Sequence, residues 1–126
     1  MRRFVSKDSK RDFYILYTLV FGVIAGFIYY QFAGNGKSLV WSHDGIPQHL
    51  NSLAYYGRYL REVLHTIFVE HKLELPMWDM NIGYGSDILT TLHYYVIGDP
   101  LTLLAVFVPE SKTETLYAFL IFLRIY

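Results

Sequence analysis

An aspartate at position 44 stands in the segment Ser42-His43-Asp44-Gly45-Ile46-Pro47-Gln48-His49. A carboxylate just ahead of a helix is favoured in its ionised form by the helix dipole. In that form Asp44 can accept a proton from a hydroxyl or ligate a divalent metal such as Mg or Mn. The plain alternative is an Asp-Gly turn at a helix start. His43 and His49 flank Asp44, but their spacing matches no zinc pattern.

Further along, Arg58 and Arg61 stand about one turn apart and can receive a phosphate, or else lie on a solvated face with Arg58 paired to Glu62. Trp78, Asp79 and Asp87 can line a sugar site, an aromatic face with carboxylates suiting carbohydrate hydroxyls. An interfacial Trp beside a turn Asp explains Trp78 and Asp79 equally well. His65 and His71 read as polar-face residues and His93 as an interfacial one. Gly83-Tyr84-Gly85 lacks the preceding strand and third glycine of a nucleotide fingerprint and reads as a tight turn.

Composition sets the medium in which these groups act. Of 126 residues, 53% are hydrophobic and 18% aromatic, more apolar surface than one small core buries. Formal net charge is zero, so no basic field points to nucleic acid. With no cysteine, disulfides and thiolate chemistry are excluded.

The elements that must position the candidates follow from hydropathy. Residues 1–12 are basic, and Phe13–Phe32 are twenty residues without a formal charge. At about 1.5 Å per residue they span about 30 Å, the hydrocarbon thickness of a bilayer. The basic flank places the N-terminus in the cytoplasm and the segment 33–111 outside. The apolar run is too long, and its end too poor a cleavage site, for a signal peptide. Gly22 and Gly26 form a small-xxx-small pair.

Within 33–111, Ile46, Leu50, Leu53, Gly57, Leu60, Leu64 and Ile67 form one apolar stripe, predicting an amphipathic helix over about 46–70. Leu75–Ser86 reads as an irregular loop, after which Ser86 or Asp87 can cap the next helix. Gly98-Asp99-Pro100 divides the following apolar run into short interfacial helices, about 87–97 and 100–108. Residues 112–126 then begin a second transmembrane helix that is cut short. A helix starting near Thr113 carries Arg124 about 16 Å inward, and an intramembrane arginine reads as functional. The expected fold class is mainly α.

Four segments in this order resemble the start of the bacterial YfhO-type membrane protein family. They are the basic-flanked first span, Asp44–His49 running into Leu53–Arg61, Pro76–Asp87, and Tyr94–Leu101. The resemblance covers nearly the whole chain. It implies a multi-pass protein similar to GT-C glycosyltransferases, which take a sugar from a polyprenyl-phosphate carrier on the outer membrane face. An acidic residue in their first outer loop is essential, and Asp44 is the position that matches. The implied acceptor is a cell-envelope polymer such as teichoic or lipoteichoic acid. Substrate contacts would come from Gln48, His49, Arg58, Arg61, Trp78, Asp79 and Asp87. On this reading the 126 residues are not active by themselves. A transporter or permease subunit and a non-enzymatic membrane scaffold are the alternatives.

Overall fold

The computed structural model describes residues 7–126, so half of the basic stretch 1–12 lies outside the described residues. The chain is mainly helical and divides into two units, one around the first helix and one from Val40 to Arg124.

In the first unit, helix α1 runs Lys7–Gly34, extending the expected span at both ends. Its Ser9–Gly34 portion is long and apolar enough to cross a membrane. Large apolar side chains, among them Phe13, Leu16, Val20, Val23, Phe27 and Tyr30, are exposed along it. A helix apolar on every side has no polar face to turn toward water. Its end is well defined. The Lys37 amide donates to the Phe32 carbonyl at 2.9 Å and the Gly36 amide to that of Ala33 at 3.0 Å. This is a Schellman closure, and it needs the positive φ of 65° that Gly36 supplies.

The second unit is built on helix α2, Asn51–Phe68, entered through a wide π-type turn at Gly45–Leu50. The buried side of α2 is Leu53, Tyr56, Gly57 and Val63. It is rotated from the expected stripe, since Ile46 and Leu64 are exposed. The cause is the neighbour: α2 packs on a 3-10 helix, Pro100–Phe107, at a distance only glycine permits. A Cβ on Gly57 would lie 2.7 Å from the Ala105 carbonyl oxygen. Because α2 ends at Phe68, His71 lies beyond it with φ of 57°, not on its polar face as expected.

The expected loop contains a small hairpin. Strand β1, Trp78–Asp79, pairs antiparallel with β2, Ser86–Asp87, in the register Trp78 to Asp87. Gly83 and Gly85, with φ of 61° and 101°, turn the chain between them. Asp87 then caps helix α3, Ile88–Leu92, by accepting the Thr90 amide at 2.7 Å.

A second π-type turn, His93–Ile97, continues α3 up to the break at Gly98-Asp99-Pro100. Asp99 caps the 3-10 helix by accepting the Leu101 amide at 2.9 Å, and Pro100 fills its first turn. Both segments turn apolar sides into a protein core of Leu53, Tyr56, Ile88, Leu92, Val96 and Ala105. After a short turn at Glu110–Lys112, helix α4, Thr113–Ile125, adds Leu116 and Leu120 to the same core. Among the described residues α1 is the one helix that meets the length and hydropathy of a membrane span.

Candidate functional site

The two π-type turns face each other and line one cleft of about 300 Å³. Such widened turns recur at functional sites, because the extra residue re-aims neighbouring side chains. Here Gly45–Leu50 contributes His49, and His93–Ile97 contributes Tyr94, Tyr95 and Val96. The His49 ring packs edge-on to Tyr95 at 5.2 Å, and Tyr94 and Tyr95 are themselves edge-to-face at 5.2 Å. The Tyr95 hydroxyl donates to Gln48 Oε1 at 3.2 Å, and Gln48 Nε2 donates to Asp44 Oδ1 at 3.3 Å. Asp44 is exposed at the edge of this network, tied to it through Gln48.

The opposite wall is an ion pair. Arg124 places Nη2 and Nε on the same oxygen of Asp99, Oδ2, at 2.6 and 2.7 Å. The other oxygen of Asp99 takes the Leu101 amide. Partial burial works to raise the Asp99 carboxyl, but the Leu101 amide and the Arg124 guanidinium outweigh it, so it lies below the usual range. Leu53, Val96 and Thr102 form the floor.

Asp44 does not act as a side-chain cap. Its backbone is already helical, at φ −91° and ψ −21°, and its carboxylate takes no helix amide. Its carbonyl instead accepts the Gln48 and His49 amides at 3.2 and 3.3 Å. His43 stacks flat on Trp41 at 5.5 Å. Among the described residues no three His, Asp or Glu side chains converge. Asp44 is therefore a single carboxylate, fewer ligands than a cation site built from protein groups alone requires.

Arg58 and Asp79 come together in a second, polar cleft of about 420 Å³ with Tyr55, Tyr59, Glu62 and Asn81. The Tyr55 hydroxyl donates to Asp79 Oδ2 at 2.5 Å, and Asn81 donates twice to Oδ1, at 2.7 and 2.9 Å. The Tyr55 bond, and then those from Asn81, hold the Asp79 carboxyl below its ordinary value. Burial and then the Asp79 carboxylate push the Tyr55 phenol up.

Other expected contacts are spent elsewhere. Arg58 lies over the Tyr55 ring, 5.4 Å from its centre, and pairs with Glu110 at 3.6 Å in place of the expected Glu62. Glu110 is reached because the chain returns past α2 after the 3-10 helix. Arg61 Nη1 donates to the carbonyls of Ala105 and Val108 at 3.0 and 2.9 Å, closing the end of that helix. Arg58 and Arg61 do border one shallow groove, but Glu62 and Glu70 share it and oppose a phosphate. Trp78 is exposed with its Nε1 toward Met80, and Asp87 is occupied as a cap.

Sequence reasoning missed the part played by Tyr94, Tyr95 and Asp99 around His49. The adjacent tyrosines and the unexplained Arg124 were the available signals; the pairing of Arg124 with Asp99 across twenty-five residues was not readable. No protein-family model, curated protein or solved structure matches this chain.

Proposed function

We propose that this chain is the N-terminal part of a multi-pass membrane glycosyltransferase that moves a sugar from a polyprenyl-phosphate carrier to a cell-envelope polymer of teichoic or lipoteichoic acid type. On this reading α1 is the first span with its basic end in the cytoplasm. Residues 33–111 lie on the outer face, and α4 begins the second span. The support is the ordered resemblance to YfhO-type proteins, together with one observation. Asp44 is an exposed carboxylate held by Gln48, which in turn accepts the hydroxyl of Tyr95, a residue of the aromatic cleft.

The chemistry asks little of the protein beyond placement. Asp44 takes the proton of the acceptor hydroxyl as its oxygen attacks the anomeric carbon. The carbon–oxygen bond to the lipid phosphate breaks, and the phosphate leaves with the electron pair. A cation near that phosphate lowers the barrier by stabilising the charge that develops on it. The Gln48 amide holds one carboxylate oxygen and leaves the other for the acceptor.

A transporter or permease subunit is the second reading, favoured by the Asp99–Arg124 pair, since paired charges mark solute paths when they lie within a membrane. One experiment separates the two. The full-length gene product, native or Asp44→Asn, is expressed in a deletion strain and the sugar content of the envelope polymer is measured. The transferase reading expects at least a tenfold loss of sugar with Asn at unchanged protein level. Full sugar with the Asn protein removes Asp44 from the reaction.

A further inference from the structure

We infer that the cleft between the two π-type turns is a phosphate-ester site anchored by Arg124. The inference rests on the transferase reading for its biological source of phosphate, and on geometry for the site itself.

An arginine recognises phosphate best when its plane is fixed beforehand, because little freedom is then lost on binding. Arg124 is fixed in that way. Nε and Nη2 are both spent on Asp99 Oδ2, and Asp99 is itself held by the Leu101 amide. Among the described residues no hydrogen bond uses Nη1, and the side chain is 40% exposed at the cleft. That leaves one edge of the guanidinium to meet an anion while the other is locked.

The rest of the cleft suits the same ligand. His49 lines the same cleft, where a ring N–H can donate a hydrogen bond to a phosphate oxygen. The Tyr94 and Tyr95 rings beside it give an apolar wall of the kind against which a sugar ring or prenyl chain packs. The Asp99 carboxylate opposes an anion, but its Oδ2 is occupied by Arg124 and its Oδ1 by the Leu101 amide. The other arginines are less suited: Arg61 is spent on the carbonyls that end the 3-10 helix, and Arg58 borders a groove shared with Glu62 and Glu70.

A merely structural cross-link between α4 and Asp99 is the rival account. Half-exposed ion pairs contribute little stability, so the two roles separate in a binding measurement. The full-length gene product in phosphatidylcholine nanodiscs is titrated calorimetrically with farnesyl phosphate, farnesol and inorganic phosphate. Native protein is expected to bind farnesyl phosphate more tightly than farnesol. Arg124→Gln should weaken farnesyl phosphate at least tenfold while leaving farnesol unchanged. Arg124→Lys keeps a cation against Asp99 and so keeps the cross-link, yet it loses the fork, and should weaken the phosphate severalfold. Inorganic phosphate binding with the same dependence on Arg124 marks free phosphate as a ligand; its absence marks the lipid ester.

Equal affinity for farnesyl phosphate and farnesol overturns the site. So does native phosphate affinity in both Arg124 variants; the Lys variant decides if the Gln protein misfolds. Arg124-dependent phosphate binding without any effect of the gene on polymer sugar keeps this site and removes the transferase. Asp44-dependent sugar transfer with phosphate affinity indifferent to Arg124 does the reverse.

Discussion

Replacing Gly57 by alanine tests the packing on which the second unit depends. The new Cβ would stand 2.7 Å from the Ala105 carbonyl oxygen and 3.2 Å from the Ala105 Cβ. The nearest atom is backbone, so it cannot swing aside as a side-chain tip would. α2 must move from the 3-10 helix, stretching the Arg61 bonds to Ala105 and Val108 as it does so. Overpacking of this kind costs about 1–3 kcal/mol. Alanine returns up to about 1 kcal/mol as the better helix former. The net expectation is a loss of about 1–2 kcal/mol, or roughly 5–10 °C in Tm for a unit of this size. Thermal unfolding in detergent, followed by near-ultraviolet circular dichroism, reads it. Gly34→Ala is the control, because nothing lies within 4 Å of a Cβ there and it stands outside the Gly22–Gly26 pair. A Gly57→Ala protein as stable as native, or more stable, refutes the close approach of α2 to Ala105.

Arg61→Met should destabilise the end of the 3-10 helix by about 1.5–3 kcal/mol, the range for hydrogen bonds from a charged donor. Faster amide exchange at Val108, whose amide bonds back to Ala105, checks it, and unchanged exchange denies Arg61 this closing role. Tyr55→Phe should raise the Asp79 carboxyl toward its ordinary value of 3.8, followed by carboxyl NMR during acid titration. An unmoved Asp79 denies the Tyr55 contribution. The same pair sets the pH limits of the second unit. The Asp79 carboxyl is held low, so its contribution is present above pH 3.8 and is lost as pH falls through the depressed value. The Tyr55 phenol is held high, so its contribution is present below pH 10 and is lost as pH rises toward the raised value. Tyr55→Phe should flatten the alkaline limb of the stability curve, and an unchanged limb counts against the pair.

The sequence made some parts of this arrangement readable and hid others for physical reasons. The length and apolar character of α1 follow from a charge-free run, and the Asp99-Pro100 break follows from proline chemistry. The Asp87 cap was legible because capping is local. The face of α2 was legible only roughly. Apolar periodicity locates a stripe, but the contact of Gly57 with Ala105 chooses which part of it is buried, and Ala105 is forty-eight residues away. The hairpin escaped notice because its strands are two residues each, too short to show alternation.

The candidate site divides in the same way. Asp44, Gln48 and His49 could be named from one segment. Arg58 and Arg61 looked equivalent in sequence, yet a carbonyl cluster takes one and Glu110 the other. The use of Asp99 both as a cap and as the partner of Arg124 depends on how α4 packs, which no local pattern records.

The most direct measurement of the central claim is transfer itself. The full-length gene product, reconstituted in nanodiscs, is given a polyprenyl-phosphate donor carrying a radiolabelled sugar and a purified envelope-polymer acceptor. Label is expected to move to the polymer with release of equal lipid phosphate, and at least a hundredfold more slowly with Asp44→Asn. Transfer at the native rate by the Asn protein, or solute uptake dependent on the gene with no sugar transferred, contradicts the claim.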